Sequence, residues 1–218
     1  MKKIAVIGTG LSALSLVHHL PSLDITFFEK SWRPGGRIST RRHQDYTFDH
    51  GAHYIKEDHG VIGFNEYLAK IEATKILNGT FCSNIQNQSP IVEKRIVVGQ
   101  RGIESIPLEF HKKLKYPTKF STHIKKIEAY NQEYFLLTDN EKFGPYDFVF
   151  TCIPFEQSKN LLESFIDYEN IPTPDFDSIW TVMLAFDKRL GSPFQFGYHL
   201  NKEISFLMNQ NFKHEFFN

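Results

Sequence analysis

The chain has 218 residues, 41% of them hydrophobic, enough to bury a sizeable core as one large or two small domains. Its 25 basic and 25 acidic side chains cancel to a formal net charge of zero, so no nucleic-acid or membrane-surface field is implied. Cys82 and Cys152 lack metal or redox spacing and form no disulfide framework, which makes a reducing cytoplasm the simplest setting. No stretch approaches membrane-spanning length, and Gly8 and Gly10 break the apolar run after Met1-Lys2-Lys3 that a signal peptide would need.

Lys3 to Ile7 (KIAVI) reads as a buried strand that feeds into Gly8-Thr9-Gly10-Leu11-Ser12-Ala13, the GxGxxA turn of a dinucleotide-binding βαβ unit. Gly8 permits the tight turn, Gly10 leaves room for a pyrophosphate, and Ala13 lets the helix lie close to the strand. The helix carries an apolar stripe at Ala13, Leu16, Val17 and Leu20, and its free amides and dipole face the phosphates. Asp24 to Phe28 (DITFF) is the second strand, ending at Glu29, about 20 positions beyond the glycine turn. A carboxylate there accepts two ribose hydroxyl bonds and repels a 2′-phosphate, favouring FAD or NAD over NADP. A lone glycine turn has many uses. The next loop, Arg33-Pro34-Gly35-Gly36-Arg37, adds two glycines for a second close approach and arginines at 37 and 41 for phosphate oxygens.

Further along, Tyr46 to Asp49 reads as a strand before His50-Gly51-Ala52-His53-Tyr54. His50, His53 and His59 suggest a metal cluster only superficially, because Gly51 breaks any helical spacing, and no metal site is assigned. Val61, Phe64, Leu68 and Ile71 form a helical core stripe; Asn78-Gly79 reads as a turn and Ile91 to Val98 as a strand. A helix follows from Gly102 to about Leu114, with Pro107 tolerable only in its first turn. Strands are expected over Phe120 to Tyr130 and Glu133 to Thr138, around an Asn131-Gln132 turn. Asp147 to Ile153 (DFVFTCI) is expected to be a strand buried on both faces, with Thr151 and Cys152 at the ligand-binding end of the sheet. Phe155 to Ile166 reads as a helix, Ser178 to Phe186 as a strand, and Phe194 to Leu200 with Glu203 to Asn209 as an antiparallel pair. Trp180 and Met183 serve packing by default, or wall a flat ligand.

GTGLSA, FFEKSWRPGGRIST and FDHGAHYI together resemble the flavin-dependent amine-oxidase superfamily, and within it the renalase-like branch. The similarity continues through VGQRGIESIPLEF, YDFVFTCIPFEQSKNLL and SIWTVMLAFDKRL. It implies an α/β fold: a Rossmann-type FAD-binding domain with a parallel sheet (1–60 and 99–155) and an inserted antiparallel-sheet substrate lobe (61–98 and 156–218). It also implies a noncovalent FAD oxidoreductase passing hydride from a small substrate, a dihydronicotinamide isomer or an amine, to flavin that oxygen reoxidises. Cofactor positions are then Gly8, Gly10, Leu11, Ser12, Ala13, Glu29, Lys30, Gly36, Arg37 and Thr151. By resemblance Gly51 and Ala52 pass along the flavin ring, and the Ile124 backbone meets the adenine. The family usually has Gln where this chain has His53, and no acid or base is assigned. Relatives continue beyond the point where this chain stops, so it reads as C-terminally shortened. Two readings stay open: an active enzyme, or a catalytically silent dinucleotide-binding relative that associates with itself through an exposed edge.

Overall fold

The computed structural model describes residues 1–20, 23–56, 63–188 and 190–214. The chain begins β1 (Lys3–Ile7), α1 (Leu11–His18), β2 (Asp24–Phe28), the hairpin β3 (Thr40–His43) and β4 (Tyr46–Asp49), then β5 (Ile55–Lys56) and α2 (Phe64–Lys70). A long hairpin, β6 (Thr74–Cys82) and β7 (Ile91–Gly99), leads to α3 (Ser105–Leu114), β8 (Thr118–Lys119) and a meander of β9 (Lys126–Tyr130), β10 (Glu133–Leu137) and β11 (Lys142–Tyr146). The chain closes with β12 (Phe148–Thr151), α4 (Phe155–Leu162), β13 (Phe196–Tyr198), β14 (Phe206–Met208) and α5 (Asn211–His214). It divides into two compact units, Met1–Arg37 with Phe110–Trp180, and Ile38–Glu109 with Thr181–Asn218. These cuts follow compactness, whereas the limits read from the sequence follow the motifs.

In the first unit a four-stranded parallel sheet has the order β12-β1-β2-β8. After Lys3, KIAVI is apolar because β1 is central and covered on both sides; Ile4, Ala5, Val6 and Ile7 are all buried. On one face Ala5, Ile7 and Phe28 join Ile124, Ile127, Leu136 and Leu161 in a single cluster, which seats the meander and α4. On the other, the Phe27 ring meets His111 at 5.9 Å, and Phe110 meets His18 of α1 at 5.6 Å. The core stripe of α1 is Ala13, Leu14 and Val17, with Leu16 and Leu20 only half-buried. The helix tightens early, His19 N–H bonding to Leu16 O and Leu20 N–H to Val17 O, which swings Leu20 off the face predicted for it.

Asn131 and Gln132 form the expected turn of the β9–β10 hairpin, both with positive φ (50° and 65°), the geometry of a two-residue type I′ connection. β11 escapes a sequence reading because it contains Gly144-Pro145, which looks like a turn. The strand expected over Phe120 to Tyr130 is confined to β9. Upstream of it Ser121 takes a φ of 52° and donates its N–H to Ser31 O instead of to a ladder. β12 is correctly placed but is not buried on both faces. It is the sheet's edge, and Phe148 is half exposed.

The second unit holds a five-stranded sheet in the order β14-β13-β6-β7-β5. Asn78-Gly79 is no turn: it lies inside β6, where Gly79 pairs with Lys94, and the chain reverses over 83–90. A Cβ on Gly79 would stand 2.8 Å from a Phe196 ring carbon, so the glycine serves the close approach of β13. Phe81 and Phe196 stack at 4.4 Å within a cluster that includes Ile96 and Val98. The helix expected over Val61 to Ile71 is α2, with Leu68 buried; 61 and 62 lie outside the described residues. Pro107 falls in the first turn of α3, as its missing amide requires. The predicted strand Ser178 to Phe186 does not form. The stretch has no ladder partner, and Trp180 and Val182 are 95% and 77% exposed. No helix of the described residues is long and apolar enough to cross a membrane.

Candidate functional site

The two glycines of the first turn are required for different reasons. Gly8 has a φ of +99°, and a Cβ there would stand 2.7 Å from the Cys152 carbonyl oxygen, so fold geometry alone demands glycine. Gly10 has an ordinary extended backbone (φ −70°, ψ 171°), and a Cβ on it would meet nothing within 4 Å. Neither conformation nor packing accounts for a glycine at position 10. The space left over its Cα is what a ligand pressed onto the backbone would occupy.

That space has a second wall. Gly35 N–H donates to Thr9 O at 3.2 Å, Gly10 and Gly35 form a parallel β-bridge, and a Cβ on Gly36 (φ +57°) would stand 3.6 Å from the Gly10 Cα. The two glycine loops, separate in sequence, therefore run side by side. The first turn of α1 opens at the same place. Gly10 is its N-cap without a side-chain hydrogen bond, and Leu14 N–H is the first to bond back, to Gly10 O at 3.1 Å. The amides of Leu11, Ser12 and Ala13 precede any intrahelical acceptor and carry the positive end of the helix dipole. Ser12 is exposed, Leu11 half-buried and Ala13 fully buried. Backbone donors beside a side-chain-free surface fit a diphosphate bridge.

Glu29, at the end of β2, is buried, and its carboxylate is held by the chain itself. Oε2 accepts the Thr9 amide at 3.0 Å and the Thr9 hydroxyl at 2.7 Å; Oε1 accepts the Ser31 amide at 2.8 Å. Thr122 N–H donates to Glu29 O at 2.8 Å, which brings the segment leading to Ile124 alongside. The Ile124 side chain is a core residue, leaving only its backbone for a ligand. Lys30 extends to Gln157 Oε1 on α4 at 3.2 Å. Thr151 pairs with Ile7, so it sits where β1 enters the glycine turn. Arg37 is exposed, and the Arg33 guanidinium lies 4.8 Å over the Trp32 ring.

Gly51 and Ala52 belong to the second unit, half-buried in the irregular stretch between β4 and β5. Both flanks of that stretch are fixed from α5 and the residue before it. Gln210 accepts Asp49 N–H at 2.7 Å and donates to Asp49 O at 3.0 Å, while Lys213 Nζ donates to Asp49 Oδ2 at 2.8 Å and to His53 O at 2.5 Å. Asp49 also accepts Ile103 N–H at 2.9 Å and the Thr40 hydroxyl at 2.7 Å. Burial works to raise the Asp49 carboxyl, but the charge and hydrogen bond of Lys213, aided by Ile103 and Thr40, outweigh it and hold the group below the usual carboxylate range. Burial and then the Lys213 charge push the His53 imidazole down, so it stays neutral. The His53 ring stacks on Phe206 at 4.9 Å. His50 reaches Ser39 at 3.2 Å, and His59 lies outside the described residues. Sequence reasoning missed this Asp49 cluster: Thr40, Asp49, His53 and Ile103 lay within noted motifs, but Gln210 and Lys213, which tie Asp49 and His53 together, lay outside all of them and far along the chain.

Comparison with known proteins agrees with this fold. Residues 6–66 match an NAD(P)-binding Rossmann-like domain. A coproporphyrinogen III oxidase of Staphylococcus aureus (strain NCTC 8325 / PS 47) is 41% identical over 54 residues, which are 23% of this chain and 12% of that protein. Among solved structures, a protein assigned as a protoporphyrinogen oxidase from Exiguobacterium sp. 255-15 superposes with a TM-score of 0.57 at 12% identity, over 74% of this chain and 61% of that one. An oxidoreductase from Methanosarcina mazei gives 0.56 at 14% identity (77% and 62%), and a putrescine oxidase 0.51 at 9% identity (68% and 57%). These likenesses are of fold. The chain spans between 57% and 62% of these solved neighbours and 12% of the curated relative. Fold and site together define an α/β protein with a Rossmann-like dinucleotide-binding unit.

Proposed function

We propose that this chain is an FAD-dependent oxidoreductase of renalase type, oxidising a small reduced substrate, a dihydronicotinamide isomer or an amine. The observation that carries the reading is the open space over Gly10, walled by Gly36 and faced by the first amides of α1, with Glu29 fixed nearby. The backbone of Gly10, Leu11, Ser12 and Gly36 would hold the diphosphate, Glu29 and the Ile124 backbone the adenosine, and Arg37 and Lys30 the flanking charge. Gly51 and Ala52 remain the positions where the resemblance puts the flavin ring. When bound, FAD supplies a two-electron acceptor; the chain supplies binding and orientation. The oxidases among the relatives and solved neighbours support the reading.

Affinity is the decisive quantity. A helix terminus contributes about 0.3–2 kcal/mol toward an anion and a hydrogen bond to a charged group about 1.5–3 kcal/mol, against about 12 kcal/mol for nanomolar binding. These motifs alone support binding weaker than nanomolar. The second reading, a silent dinucleotide-binding relative, draws on that shortfall and on the exposed run around Trp180. Titration of the purified protein with FAD, followed by anaerobic mixing with dihydronicotinamide isomers and amines, separates the two. Retained flavin that bleaches with a substrate supports the enzyme; flavin that binds and never bleaches leaves the silent binder; no flavin or ADP binding overturns both.

A further inference from the structure

The carboxylate assigned above to the ribose is not free to accept two hydroxyls. A carboxylate offers about four lone-pair positions, two on each oxygen. Thr9 fills both on Oε2, with its amide at 3.0 Å and its hydroxyl at 2.7 Å, and the Ser31 amide at 2.8 Å takes one on Oε1. Thr9 is fully buried and Glu29 is 6% exposed, so water does not compete for these bonds. One acceptor position is left, on Oε1. Thr9 is the variable residue between the two glycines of the turn. Any residue there supplies the amide, but a hydroxyl is a choice of this sequence.

We propose that Thr9 is a specificity-determining positioning residue: its hydroxyl pins Oε2 of Glu29 and leaves a single acceptor, on Oε1, for one ribose hydroxyl of an adenine nucleotide without a 2′-phosphate. This deepens the dinucleotide reading and rests on it. A carboxylate held by three donors cannot swing aside, so it stands fixed where a 2′-phosphate would have to come. Without the hydroxyl it keeps only the two backbone donors and gains freedom to turn, weakening the ribose bond and the repulsion together.

The test uses the full chain with two probes, ADP-ribose and 2′-phospho-ADP-ribose, titrated calorimetrically. The wild type should prefer ADP-ribose. Thr9→Val should lower its affinity at least about tenfold, the low end of the worth of one hydrogen bond to a charged group, and bring the ratio between the probes toward one. Thr9→Ser should restore both. Hydrogen exchange of the Ser31 amide in the unliganded variants should quicken in Thr9→Val and not in Thr9→Ser. An unchanged probe ratio in Thr9→Val overturns the proposal while leaving the dinucleotide reading intact; a wild type that binds neither probe overturns both. Should Thr9→Val not fold, Thr9→Ser must keep the wild-type ratio and Glu29→Gln must abolish it, and failure of either result overturns the role of Thr9.

Discussion

Lys213 Nζ lies 2.8 Å from Asp49 Oδ2, joining residues 164 positions apart in the chain with both side chains almost wholly withdrawn from water. A charge buried at that depth is tolerable only while its partner remains. Lys213→Met should therefore cost about 3–5 kcal/mol of stability, read from denaturant unfolding. The double variant Asp49→Asn/Lys213→Met should recover much of that loss, because no unpaired charge is left behind. Equal losses in the single and double variants would show that packing, and not charge, makes the pair matter.

The same cluster sets an acid limit. His53 is held below its ordinary value, so between its folded and unfolded pKa the unfolded chain binds more protons, and stability falls as the pH drops below about 6.5. Asp49 is also lowered, so its contribution is complete above about pH 4 and is lost as the pH falls through the folded value. Thermal unfolding across this range should show two successive declines on acidification; burial also pushes the His111 imidazole down, so His53→Gln should shrink the first decline without abolishing it. A first decline unaltered in that variant would assign it to another group.

Gly8 and Gly10 should behave as opposites. Gly8→Ala forces a side chain into a positive-φ position against the Cys152 carbonyl and should destabilise by about 1–3 kcal/mol or more. Gly10→Ala meets no protein atom, so unfolding should be nearly unchanged while ADP and FAD affinity drops at least tenfold, measured by fluorescence titration. Retained nucleotide affinity in Gly10→Ala would remove the reason given for the open space.

From Phe176 to Phe186 the chain exposes Ile179, Trp180, Val182, Leu184 and Phe186, each at least half open to solvent, in a stretch without regular secondary structure but rich in strand-forming residues. Self-association through this stretch should appear as concentration-dependent sedimentation of the purified chain, and Val182→Lys should weaken it. A single monomeric species at every concentration would count against it.

Much of the first unit was legible because its signals are local. KIAVI, GTGLSA, DITFF and Asn131-Gln132 each carry their own instruction in periodicity, glycine placement or turn geometry. What misled were residues whose meaning depends on distant partners. Asn78-Gly79 has turn chemistry, yet the glycine answers to Phe196; DFVFTCI has the composition of a central strand, yet lies at an edge. SIWTVMLAF has the pattern of a strand but no neighbour to pair with. In the candidate site, the glycine loops and Glu29 were readable from spacing. Thr9 was not, since nothing in a sequence tells a hydroxyl that caps a carboxylate from one that faces water.

The bridge between Gly10 and Gly35 gives the cradle main-chain walls on both sides. Such a surface offers the same amides to any diphosphate, whatever nucleoside is attached, and it is insensitive to mutation except at the glycines themselves. Selectivity among nucleotides must then be decided beside that surface, by the Thr9 hydroxyl and the Glu29 carboxylate it holds.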